Sequence, residues 1–252
     1  MPLFGKQDML AAAARAPLMS GFDTDTWSLK NAEILHLAFE VVEGPAEWLV
    51  PPALHPSIPP YVALSVARFP ESPVGPFMLG QVRLVVRAGI RPRGYLLGAY
   101  TDSEKAVNEL RTRWGYTVGL GTITLQSRHD RVIGTVGRGG QTILNMELEN
   151  PEQVSGSDVT YLDNLNLARI VENGKETSLL VQVDPEYVFH SAQRGKPHLI
   201  SLQSDAWGAD GKLQCTNAMH ATFCRCDTDL PKLRFAMDPE KPVAQGSRRL
   251  AT

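Results

Sequence analysis

"YLLGAYTDSEKAVNELRTRWGYTVG", residues 95–119, changes its periodicity twice, and the fold turns on where those changes fall. Its opening belongs to an aromatic and branched run, "RGYLLGAY" over 93–100, which reads as a β-strand. The middle is helical. Thr101 and Glu104 have the spacing of a capping box, and Ala106, Val107, Leu110 and Trp114 fall on one face of a helix over 101–114. Gly115 then ends the helix by supplying the left-handed residue at which many helices close. Beyond it, Tyr116-Thr117-Val118-Gly119 carries no charge, while Arg111 just before it carries a permanent one.

Outside this stretch, strands dominate. "QVRLVVR" (81–87), "GTITLQS" (121–127), "DRVIGTVG" (130–137) and "QTILNMELE" (141–149) are short, rich in branched side chains and bounded by turn residues. The last alternates cleanly, with Leu144, Met146 and Leu148 opposite Asn145, Glu147 and Glu149. "NLNLARIV" and "TSLLVQV" flank Asn173-Gly174, a pair that supplies the positive φ angles of a tight hairpin. "HATFCRCD" (220–227) reads as a late strand. These elements predict a mainly β (α+β) protein, an antiparallel β barrel or double sheet decorated by one or two short helices. The expected layout is an N-terminal arm over 1–30, one β domain over 31–238 and a flexible tail over 239–252.

Composition narrows the function classes. The 252 residues are 43% hydrophobic and 21% charged, enough apolar material for a proper core. The formal net charge is −2 and no block of like charges is long, which argues against a nucleic-acid groove or a polybasic membrane patch. The apolar runs fall far short of the roughly 18 residues that cross a bilayer. "MLAAAARAPLM" (9–19) is interrupted by Arg15 and Pro17 and preceded by Asp8, so it reads as a loose arm or short helix rather than a secretion signal. Cys215, Cys224 and Cys226 cannot all pair; Cys224 and Cys226 share one strand face as small hydrophobes, no metal-ligand spacing surrounds them, and a reducing cytoplasm is expected. Gly137-Arg138-Gly139-Gly140 lacks the strand-to-helix setting of a phosphate loop and reads as a hairpin turn, so no cofactor is expected.

Four stretches taken in order carry a resemblance. "SPVGPFMLGQVRLVVRAG" (72–89), the opening stretch over 95–119, "LDNLNLARIVENGK" (162–175) and "CRCDTDLPKLRF" (224–235) together resemble the acetoacetate decarboxylase family. That family's signature is Gly-Arg-Glu-x-aromatic-Gly-Phe-Pro-Lys-Lys, whose first lysine attacks a β-keto acid to form a Schiff base. Acetoacetate decarboxylase is itself the well-known case of a lysine activated by desolvation or a neighbouring cation. Arg111, Trp114, Gly115 and Tyr116 match the frame of that signature. Thr112 and Thr117 depart from it, Val118 stands at the nucleophilic lysine and Gly119 at the second lysine. Leu79 likewise stands where the family's Gly-Pro-Tyr-x-Glu places a carboxylate. Lys105 is no substitute, because Glu104 and Glu109 favour its charged form.

The resemblance therefore implies a retained pocket that has turned apolar. Phe77, Leu79, Trp114 and Val118 are its expected lining, and Arg111, Tyr116, Glu147 and His220 are the candidates for chemistry. Arg111 would hold a carboxylate or enolate, Tyr116 would donate its hydroxyl to a carbonyl, and Glu147 and His220 would serve as acid or base. Structural roles for each are ordinary alternatives. Two functions stay open. One is an enzyme acting on a hydrophobic keto or polyketide-like compound by elimination, cyclisation or decarboxylation without an imine. The other is a non-catalytic protein whose apolar pocket binds a small carbonyl compound or lipid. The resemblance also implies a homo-oligomer.

Overall fold

The computed structural model describes residues 4–89 and 91–250. In chain order these form α1 (Met9–Arg15), β1 (Trp27–Val41), α2 (Glu43–Glu47), β2 (His55–Pro56), β3 (Tyr61–Phe69), β4 (Phe77–Ala88), β5 (Arg91–Thr101), α3 (Glu104–Trp114) and β6 (Val118–Leu120). There follow β7 (Thr122–Ser127), β8 (Arg131–Arg138), β9 (Gln141–Val154), β10 (Asn164–Glu172), β11 (Lys175–Val183), β12 (Glu186–Leu202), β13 (Cys215–Leu230), β14 (Phe235–Met237), α4 (Val243–Gly246) and β15 (Ser247–Arg249).

Among the described residues the strands form one sheet in the order β15-β14-β11-β10-β5-β4-β3-β1-β13-β12-β9-β8-β7, with β2 on β4 and β6 on β5. Nearly all pairs are antiparallel; β10 runs parallel to β5, as does β6. The sheet is mixed, and its path ends at β7 and β15, so the barrel alternative does not apply: this is a double layer. It doubles back, so that β7 packs across β3, β4 and β5. Glycines let the layers nest. A Cβ on Gly80 would sit 2.4 Å from Val136 Cγ2, and one on Gly134 would sit 3.0 Å from Val66 Cβ.

The doubling explains why the central strands lack alternation. Leu35, Leu37, Leu64, Val66, Val82 and Leu84 point between the layers, where they meet Val136, Leu144, Met146 and Leu148. The opposite face of the same strands, with Ile34, Ala67, Phe77 and Leu79, is covered by Leu110, Trp114 and Tyr116 from α3 and its exit. Every residue from Ile34 to Phe39 is consequently buried, each full burial of a large apolar side chain contributing roughly 1.5–3 kcal/mol.

Helix α3 begins two residues later than the capping-box spacing suggests. Its cap is Ser103, whose hydroxyl accepts from the Ala106 N–H at 3.3 Å. Thr101 is unavailable because it is the last paired residue of β5, opposite Leu79. Gly115 closes the helix at φ +65°, and a Cβ there would meet Ala168 Cβ at 2.7 Å. The hairpin at Asn173-Gly174 and the Gly139-Gly140 turn form as their sequences require, each with positive φ.

Both ends of the described residues are packed down. Asp8 caps α1, which buries Met9 and Ala12, and the chain then bonds to Arg169 of β10 through Pro17 and Met19. At the other end, the segment read as a flexible tail pairs β15 with β14. No helix among the described residues is long and apolar enough to cross a membrane.

Candidate functional site

Strand alternation delivers side chains from four neighbouring strands to one enclosed place beneath α3. From β4 come Phe77, Leu79, Gln81 and Arg83, all at even spacing and hence on one face. Leu29, Ile34 and His36 enter from β1, Ser65, Ala67 and Phe69 from β3, and Thr228 and Leu230 from β13. Leu110, Tyr116, Tyr161, Asn164, Pro185 and Tyr187 complete the wall. The enclosed volume is about 50 Å³, room for a few waters but below the 300 Å³ or so of a typical ligand pocket. Among the described residues no lysine and no carboxylate lines it.

A chain of hydrogen bonds fixes the polar end. The Arg83 guanidinium donates to Asn164 Oδ1 at 2.8 Å and to the Leu162 carbonyl at 3.2 Å. Since a guanidinium can only donate, the Asn164 amide must turn its oxygen to Arg83 and its nitrogen to Tyr116. That nitrogen donates to the Tyr116 hydroxyl oxygen at 2.8 Å, leaving the phenolic hydrogen free to donate elsewhere. Burial, as the first cause, pushes the Tyr116 pKa up, against smaller downward effects from Asn164 and Arg83. The phenol therefore stays protonated at neutral pH. Room for the arginine comes from Gly94, where a Cβ would stand 3.0 Å from Arg83 Cδ.

His36 is buried in mid-strand, and neither ring nitrogen has a hydrogen-bond partner. Its pKa lies well below the usual 6.5, first through burial and then through the charges of Arg83 and His220. The imidazole is neutral at pH 7, with one nitrogen donating and the other accepting. Gln81 Oε1, Arg83 Nε and Thr228 Oγ1 are also buried without partners. A protein interior satisfies nearly all such atoms. Several unsatisfied ones line this single cavity, which makes it the candidate site.

The residues expected from the sequence divide among three places. Phe77, Leu79 and Tyr116 line the pocket. Trp114 and Val118 are buried in the same apolar cluster without lining it; the Trp114 indole donates to the Pro231 carbonyl at 3.0 Å, and Val118 faces a separate open depression of about 330 Å³ beside Tyr100 and Trp207. Arg111 is exposed and donates to the Val118 carbonyl at 3.2 Å, tying α3 to β6. It is not inside the cavity, because its position on α3 points it away from the buried Leu110 and Trp114 face. Glu147 pairs with Arg131 at 2.9 Å on the far layer, so it is no general base for this pocket. His220 stands just outside, its ring stacked on His36 with centroids 5.4 Å apart. Among the described residues no cluster of His, Cys, Asp and Glu could hold a metal.

His36, Gln81, Arg83 and Asn164 are the residues that the sequence reading passed over. The signal for two of them was present: continuing the two-residue step from Phe77 and Leu79 leads to Gln81 and Arg83.

Comparison with known proteins agrees with this architecture. The family model described as "Acetoacetate decarboxylase (ADC)" matches residues 14–238. Acetoacetate decarboxylase from Legionella pneumophila is similar at 18% identity and a TM-score of 0.74, covering 85% of this chain and 88% of its own. The enduracididine biosynthesis enzyme MppR follows the same path at 13% identity and a TM-score of 0.66, covering 88% and 91%. An acetoacetate decarboxylase-like enzyme from Sphingomonas wittichii gives 14% and 0.65, covering 91% and 94%. A search of curated protein sequences found no match. With the doubled sheet, the helix-and-glycine frame above the pocket and a family match over most of its length, the chain belongs to the acetoacetate decarboxylase family.

Proposed function

We propose that the protein is an enzyme that moves protons on a small, hydrophobic keto compound without forming an imine, so as to drive an elimination, cyclisation or decarboxylation. The observation that carries this reading is the set of unpartnered polar atoms around a cavity that holds no lysine. Schiff-base chemistry needs an amine at the substrate carbonyl. Here the groups that face the space can only donate, accept or shuttle hydrogen.

In this reading the ketone oxygen takes the hydrogen bond that Tyr116 leaves free. The neutral His36 accepts a proton from the adjacent carbon, the bonding pair moves onto oxygen as an enolate, and Tyr116 with the positive Arg83 stabilises the developing charge. Burial makes each of these interactions stronger than it is in water. The enclosed volume of about 50 Å³ favours a short keto compound over an extended polyketide-like chain. MppR has been solved in complex with pyruvate, a keto compound of that size.

The test is exchange of α-hydrogens for deuterium, followed by NMR over a panel of short ketones and keto acids. Wild-type protein should accelerate exchange for at least one of them. Tyr116→Phe and His36→Gln should each slow that exchange by roughly 10²–10⁴-fold, and borohydride should trap no adduct. Binding without exchange would favour the second reading, a carrier, which the small volume and the absence of any carboxylate in the wall also fit. A borohydride-trapped lysine adduct would sink the non-imine mechanism.

A further inference from the structure

The described chain buries two arginines among its polar residues, Arg83 and Arg93, and treats them differently. Arg93 is compensated by two carboxylates, Asp163 at 3.3 Å and Asp184 at 2.6 Å. Arg83, 5% exposed, meets only the neutral oxygens of Leu162 and Asn164, and its Nε is left without a partner. Among the described residues it enters no ion pair. A guanidinium cannot discharge itself by losing a proton, and a buried charge without a counter-charge is strongly disfavoured.

We propose that Arg83 is the anion handle of this pocket and that the pocket's ligand is a small monocarboxylate. The inference rests on the reading that this cavity is the functional site. The carboxylate lies on the unfilled Nε side of Arg83, with the Tyr116 hydroxyl as a further donor. The apolar remainder lies against Phe77, Leu79 and Leu230. A dianion has no second cation to meet, since no other arginine and no lysine lines the wall. A neutral ligand could accept from Nε but would leave the guanidinium charge uncompensated.

The experiment compares acids with their own amides, which match in shape and differ in charge. Propionate, butyrate and pyruvate are titrated by calorimetry beside propionamide, butyramide and pyruvamide, with wild-type protein, Arg83→Gln and Arg83→Lys. Wild type should bind at least one acid roughly tenfold or more tightly than its amide. Arg83→Gln should erase that preference by weakening the acid alone, and Arg83→Lys should keep part of it. A purely structural arginine would not change an acid-to-amide ratio, and the retained thermal transition of the variants serves as the fold control. No acid preference in wild type across the panel, or a preference that survives Arg83→Gln, overturns the proposal. Acid preference without hydrogen exchange leaves Arg83 as the handle and removes the enzymatic reading; exchange with equal binding of acids and amides does the reverse.

Discussion

Single residues decide whether the pocket exists, and Gly115 is the clearest of them. Its φ of +65° is a left-handed conformation, and the space a side chain would need is taken by Ala168 Cβ at 2.7 Å and Met19 Sδ at 3.1 Å. Gly115→Ala should combine roughly 1–2 kcal/mol of backbone strain with roughly 1–3 kcal/mol of overpacking. Denaturant unfolding would register this as a lowered midpoint with an unchanged slope; a shift worth under about 0.5 kcal/mol would mean the turn relaxes freely. The neighbouring Tyr116 should lose its aim as well. At this scale the sequence is legible where a residue has a single physical use. Gly115 reads as a helix stop, and Phe77 and Leu79 read as pocket wall; Trp114 and Val118 read the same way but lie outside the pocket, and Tyr116, read as a hydroxyl donor, lines it. Arg111 misleads because the same guanidinium suits an anion and a backbone carbonyl equally, and only its direction on α3 tells them apart. Arg83 stays hidden for the opposite reason: in "QVRLVVR" it reads as one more polar position on a half-exposed strand.

Strands that bury both faces are the elements a reader of sequence loses first. β7, β8, β10 and β11 alternate or sit beside obvious turns, and they fall close to where their sequences put them. β1 is the costly omission. Its run from Ile34 to Phe39 is buried throughout because a core lies on each side, so no period of two survives to announce it. His36 was lost with it. β12 escapes for a different cause: one face is exposed and the other only partly buried, so few strongly apolar positions mark it. Placement in the middle of β1 also gives His36 a measurable consequence. Its pKa is lowered by burial first, then by Arg83 from β4 and His220 from β13; His220 is itself lowered, by burial and then by Arg194 from β12. Both folded values lie below the ordinary 6.5, so below that pH the unfolded chain binds more protons than the folded one. Stability is therefore full above about pH 6.5 and declines as the pH falls through it. His36→Gln should flatten part of that decline in urea titrations between roughly pH 5 and pH 8, with His220 supplying the remainder. An identical slope in the variant would show that His36 does not titrate with folding.

The molecule as a whole is a strip of sheet folded over itself, with its two cores on opposite sides of β1, β3 and β4. Backbone amides in those strands can meet water only when a layer lifts away. Native-state hydrogen exchange should be slowest at Leu35, Leu37, Leu64 and Val82, at or near the free energy of global unfolding. It should be fastest along residues 193–202 of β12 and 215–219 of β13, where the side chains are exposed or only partly buried. Slower exchange in β12 than in β1 would contradict the layered description. His36, Ser65, Gln81 and Arg83 all stand on the slow strands, whereas Tyr161 precedes β10 and Tyr187 lies at the start of β12. The floor of the cavity thus stands on the slow strands, and an aromatic cluster of Tyr161, Tyr187 and Phe189 closes it from the side. Such a floor, packed between two cores, is a fixed mould that is not readily reshaped by bending the chain. A different ligand is accommodated instead by exchanging the side chains that project from that floor, as Leu79, Gln81 and Arg83 do from alternate positions of β4.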